Sequence, residues 1–147
     1  MNKLLWIILV FIAGAFLPIQ GALNSKLGKD LESPVHASMI SFIIGAVALV
    51  LYIVVTSQTA SWAGVRTTPM HVWVGGLLGA FYVTVIVLAF PRLGPGLTFG
   101  LIVAGQMLIS ALLEHFNILV SHPQPLSLLR LLGIVMIVAG VIIVRKF

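Results

Sequence analysis

Apolar positions run almost unbroken along this chain, and polar positions gather at intervals between them. Five apolar stretches of about twenty residues stand out: 4–23, 35–57, 71–90, 97–119 and 126–144. A helix rising ~1.5 Å per residue crosses a hydrocarbon core of ~30 Å in about twenty residues. The pattern has neither the two-residue alternation of a half-buried strand nor the narrow stripe of a surface helix. It predicts an all-α integral membrane protein of five transmembrane helices, forming a single domain over residues 1–147. An odd number of spans puts the two termini on opposite faces of the bilayer. A second copy, fused or paired, then fits naturally upside down beside the first, as in many transporters.

Short polar links join the spans. Ser33–Pro34 reads as N-cap and first residue of the second helix. The segment QTASWAGVRTTPM joins the second and third spans, and SHPQP, with His122, joins the last two. In PRLGPG, Pro91 is expected to end the third helix and Pro95 to open the fourth.

Composition agrees with the pattern. Of 147 residues, 61% are hydrophobic and 7% charged, and the mean hydropathy is +1.22, values outside the range of a soluble domain. The net charge of +5 is scattered over links and ends, so it reads as membrane-flanking charge and gives no nucleic-acid surface. With no cysteine, disulfides and thiolate metal sites are excluded. His36, His71 and His122 lack metal-ligand spacing, so no metal and no cofactor is expected. Lys3 followed by an apolar run has the look of a signal peptide. Without an A-x-A site downstream, a retained first helix is expected.

Lys26, Lys29, Arg92, Arg145 and Lys146 fall on the face holding the carboxyl terminus, against Lys3, Arg66 and Arg130 on the other. The positive-inside bias then puts the carboxyl terminus in the cytoplasm. Five against three is a small margin, compatible with dual insertion or with a partner of opposite bias.

Small residues recur at packing intervals. Gly75-x-x-x-Gly79 and Gly96-x-x-x-Gly100 open the third and fourth spans, and Ser38, Ser41, Gly45 and Ala48 line one face of the second. Such stripes let backbones approach closely in lipid. In the last span Gly133 and Gly140 share a face with Ala139 and Val141.

Polar side chains inside a span are costly and point to function. Glu114 is the single acidic residue in a span. Gln106, Ser110 and Glu114 are spaced i, i+4, i+8 along one helix face. A desolvated carboxyl there suits proton binding and exchange for a cation; the structural alternatives are a carboxyl close enough to the helix end to be wet, or one paired with Arg130. Gln20 and Asn24 share a face of the first helix, and Ser41 lies on the second. Asn24 could equally mark a frayed helix end. Tyr82 and Thr84, in the third span, are further cavity candidates.

The closing LLGIVMIVAGVIIV resembles the final helix of drug/metabolite transporters, in whose small multidrug resistance branch this helix packs the dimer. The resemblance implies a dimer seam at Gly133 and Gly140. PIQGALNSKLG, SPVHASMISFIIGA, GGLLGAFYVT and GPGLTFGLIVAGQMLISALLEHF occur in order and together resemble the YdcZ-like five-helix branch of that superfamily over nearly the whole chain. Members more often carry Asp where this chain has Glu114.

No nucleotide loop, nucleophile triad or carboxylate pair is visible, so an enzyme is not expected. The expected function is secondary transport in an inner membrane. A small organic solute or cation would exchange for protons through an inverted homo- or heterodimer of five-helix subunits. Glu114, Gln106, Ser110, Gln20, Asn24 and Ser41 would form the binding groups. The alternatives are a small dual-topology ion channel, suggested by GGLLGAFYV, and a non-transporting half of a heterodimeric complex.

Overall fold

The computed structural model describes residues 2–120 and 124–146; His122 lies outside the described residues. The order is α1 (Lys3–Asp30), α2 (Pro34–Val55), a short α3 (Ala63–Thr67), a 3-10 turn (Met70–Trp73), α4 (Val74–His115) and α5 (Leu128–Lys146). Among the described residues there is no strand. Large apolar side chains face outward along the long helices, for example Phe11 at 77% and Val55 at 82% exposure. Apolar surface on this scale requires lipid around it.

The chain divides into two compact units, Met1–Arg92 and Leu93–Phe147. In the first, α1 and α2 pack against each other. α1 reaches well past the expected end at residue 23. Its 28 residues give a length of ~42 Å, enough for the hydrocarbon and headgroup layers together. Asn24 therefore lies inside a continuous helix and does not mark a frayed end.

Backbone geometry sets the helix ends. At the close of α1 the Ser33 amide donates to the Gly28 carbonyl and the Glu32 amide to that of Lys29. Glu32 takes the left-handed conformation (φ 52°), which completes a Schellman stop. Ser33 then caps α2, accepting the His36 amide at 3.4 Å, and Pro34 follows at the first turn. Ser57 and Asn117 (φ 51° and 52°) repeat the same stop after α2 and α4. For this reason the helices finish at Val55 and His115, short of residues 57 and 119. At the start of α5 the Ser127 hydroxyl accepts the Arg130 amide at 3.3 Å.

α4 comprises the third and fourth expected spans as two helices that meet at a non-helical residue, Gly94 (φ 76°, ψ 165°). That backbone region is essentially reserved for glycine. The first of the two does not end at Pro91, as the sequence suggested. It runs on to residue 93, and the Arg92 guanidinium donates to the Leu88 carbonyl at 2.6 Å. Beyond the break, the Thr98 hydroxyl donates to the Gly94 carbonyl at 2.7 Å. The apolar stretch of 46 residues from Met70 to His115 would be ~69 Å long if straight, twice what one crossing needs. Split at Gly94, it supplies two spans.

In the second unit the Gly96-x-x-x-Gly100 stripe receives α5. A Cβ on Gly100 would lie 3.0 Å from the Val141 side chain, and one on Gly96 3.5 Å from Val144. Val141 is buried, so it belongs to this internal contact and not to an outward seam with Gly133 and Gly140.

Candidate functional site

The polar residues of the first unit collect on facing surfaces of α1 and α2. Asn24 Nδ2 donates to Ser41 Oγ at 3.1 Å. Asn24 is buried, as is Ser38, whose hydroxyl donates to the Pro34 carbonyl at 3.0 Å. Close approach of the helices makes this possible. A Cβ on Gly28 would meet Val87 at 2.9 Å, Pro34 at 3.5 Å and Ala37 at 3.6 Å.

Next to the Asn24–Ser41 bond is a cleft of about 650 Å³, bordered by Gln20, Ser41, Phe42, Gly45, Tyr52 and Val83 among others. A second depression, of about 480 Å³, is lined in part by Gln20, Asn24 and Ser41. The structure thus brings these three residues together. Their surroundings are otherwise apolar, which suits a solute with a hydrocarbon body and a few hydrogen-bonding groups.

Sequence reasoning missed Tyr52. It sits one turn beyond Ala48, so extending the stripe of Ser41, Gly45 and Ala48 would have found it. Neither Tyr82 nor Thr84 lines the 650 Å³ cleft. Among the described residues, Tyr82 Oη is a buried side-chain atom without a hydrogen-bond partner.

In the second unit, Glu114 in the last turn of α4 forms an ion pair with Arg130 of α5, a structural alternative that the sequence raised to a desolvated carboxyl. The two side chains are 30% and 33% exposed. Arg130 also donates to the Gln124 carbonyl at 3.0 Å. The Gln124 amide donates to the Glu114 carbonyl at 3.3 Å, and the Leu126 amide to His115 Nδ1 at 3.2 Å. These bonds tie residues 124 and 126 to the end of α4 and hold the ion pair in place. A groove of about 240 Å³ opens here, bordered by Met107, Ser110, Ala111, Glu114, Arg130, Gly133, Ile134 and Ile137. Ser110 and Glu114 therefore meet at one groove. Gln106 is exposed and does not border it.

Gly133 and Gly140 have open space where a Cβ would point. Gly133 contributes to the groove beside Arg130.

Comparison with known proteins places the chain in a family. The family described as "Putative inner membrane exporter, YdcZ" matches residues 5–143. The inner membrane protein YdcZ of Escherichia coli (strain K12) is 25% identical over 150 residues, covering 99% of this chain and 98% of that protein. No solved structure matches. With almost every residue inside the match, the chain belongs to the YdcZ family and is an integral inner-membrane protein, and the family's description suggests membrane transport.

Proposed function

We propose that the chain is one subunit of a secondary transporter that works as an inverted dimer and exchanges protons for a small organic solute or cation. The observation that carries this reading is the Glu114–Arg130 pair beside Ser110 on an open groove. An acid inside a span needs compensation for its charge, and here a guanidinium supplies it. A proton arriving at Glu114 releases Arg130, and so does a cationic group of the cargo. Proton and cation are alternatives at one carboxylate, which is the condition for exchange.

Gln20, Asn24 and Ser41 would orient the cargo in the cleft of the first unit. The alternating directions expected of five spans would place Gln20 and Glu114 toward opposite faces of the membrane. Inverting a second subunit brings its Gln20 toward the level of the first subunit's Glu114. Gly133 and Gly140, open on α5, offer the flat surface along which the two copies would pack.

The test is transport by purified protein in proteoliposomes holding a pH-sensitive dye, with a panel of tetraalkylammonium ions outside. Uptake accompanied by proton release is expected, and Glu114→Gln should abolish the linkage. Undiminished coupling in that variant would reject the role given to Glu114.

A further inference from the structure

A groove in the first unit lies apart from both sites above. It has a volume of about 350 Å³ and is bordered by Ser25, Gly28, Lys29, Pro34, Val87, Leu88, Pro91 and Arg92. It sits where α1 leaves the membrane and where the first half of α4 nears its break. Its chemistry is divided. Val87, Leu88, Pro34 and Pro91 give it apolar walls, while Lys29 and Arg92 place two cations at its rim.

Neither cation is neutralised. Among the described residues, the one ion pair is Arg130 with Glu114. Asp30 and Glu32 follow Lys29 in sequence but do not border the groove. One Arg92 nitrogen bonds the Leu88 carbonyl, which fixes the guanidinium at the rim and leaves its other donors available. Ser25 borders the groove at only 5% exposure, and its hydroxyl has no hydrogen-bond partner among the described residues. The oxygen itself is still reached by solvent, so it is a donor that a ligand in the groove can use.

Two cations, a hydroxyl donor and an apolar wall at the end of membrane-spanning helices match one ligand class. We infer that this groove holds the phosphate of an anionic membrane phospholipid, with its acyl chains running down the outward apolar faces of the helices. Basic pockets between helices at the membrane surface recognise lipid headgroups in this way. Lys29 supplies a point charge, Arg92 a planar fork that matches phosphate oxygens, and Ser25 a third donor. The lipid accounts for a feature that solute exchange leaves without a purpose: two cations at one groove with no carboxylate paired to either among the described residues.

The test is lipid retention, measured by native mass spectrometry on full-length protein taken from vesicles of phosphatidylcholine with 20% phosphatidylglycerol. Enrichment of phosphatidylglycerol on the wild-type protein is expected. Lys29→Gln and Arg92→Gln should each lower its retention about fivefold, the effect of one basic residue at a lipid surface. Lys26→Gln removes an exposed lysine of the same segment that does not border the groove, and should change retention little. Both groove lysine and arginine are exposed, so these variants should fold. Equal retention in wild type and both groove variants would overturn the proposal, as would an equal loss in Lys26→Gln. Displacement of the lipid by millimolar inorganic phosphate would identify a soluble anion as the occupant and overturn the lipid assignment. Neither result bears on proton exchange at Glu114.

Discussion

Asn24 on α1 donates its side-chain amide to the Ser41 hydroxyl on α2 across 3.1 Å, beside the cleft that also contains Gln20 and Tyr52. The bond sets the mutual register of the two helices at the cleft wall. Hydrogen bonds between membrane helices contribute about 0.6 kcal/mol on average and up to about 1.7. Asn24 is buried, so the upper half of that range is expected. In a double-mutant cycle of Asn24→Ala and Ser41→Ala, each single change should cost about 1 kcal/mol and the pair less than their sum. Unfolding by steric trapping in bicelles measures it, and full additivity would show that the two side chains do not interact.

Gly94 carries the break between the two helices of α4. Its φ of 76° and ψ of 165° lie where a Cβ is strained by about 1–3 kcal/mol. No neighbour crowds the position, so the cost of Gly94→Ala comes from the backbone alone. The variant should lose stability by that amount in a thermal scan in detergent. Gly64→Ala is the control, since Gly64 has open space and an ordinary φ; its change should fall within about 0.5 kcal/mol.

Much of this architecture is legible in the sequence because span length and apolarity are set by the bilayer. Five stretches of about twenty residues could be marked without knowing how they pack. Their ends were harder to read. Glu32 and Ser57 take left-handed conformations that residue type does not announce, whereas Asn117 is a recognised occupant of that position. Pro91 suggested a stop, yet the helix absorbs it, as α1 absorbs Pro18, and the chain continues to the glycine at which helical geometry ends. Spacing grouped Gln106 with Ser110 and Glu114, but the groove wall is made by residues 107, 110, 111 and 114. Where α5 lies decides which edge of that face is used, and no spacing rule contains this. The contact between Asn24 and Ser41 is likewise a matter of which helix faces meet.

Two glycines differ in what surrounds them, and their substitutions should differ too. Gly100 holds Val141 at a distance that leaves no room for a larger group. Gly100→Ile should overpack this contact by about 1–3 kcal/mol, and adding Val141→Ala should recover part of the loss. Gly133 has open space, so Gly133→Ile should leave subunit stability unchanged within about 0.5 kcal/mol. If α5 forms the dimer seam, that same variant should weaken association. Subunit-exchange fluorescence in nanodiscs reads the association separately from unfolding. Unchanged association in Gly133→Ile and Gly140→Ile would remove these glycines from the interface.

The Glu114–Arg130 pair joins the end of α4 to α5, and it can be tested by exchanging its members. Removing one partner of a fully buried ion pair costs about 3–5 kcal/mol, because a charge is left without compensation. Water reaches about a third of these side chains, so Arg130→Gln should cost nearer 1–2 kcal/mol. The double variant Glu114→Arg with Arg130→Glu keeps one charge of each sign at the same site. It should regain most of the stability lost in either single change, as read by steric trapping. Transport should respond differently. A carboxylate on α5 lies off the face that carries Ser110, so proton-linked uptake should stay at least tenfold below wild type. Recovery of stability without recovery of transport would separate the pair's contribution to folding from the role proposed for Glu114. Recovery of both would mean that any carboxylate in the groove suffices, and that its position on α4 is not a requirement.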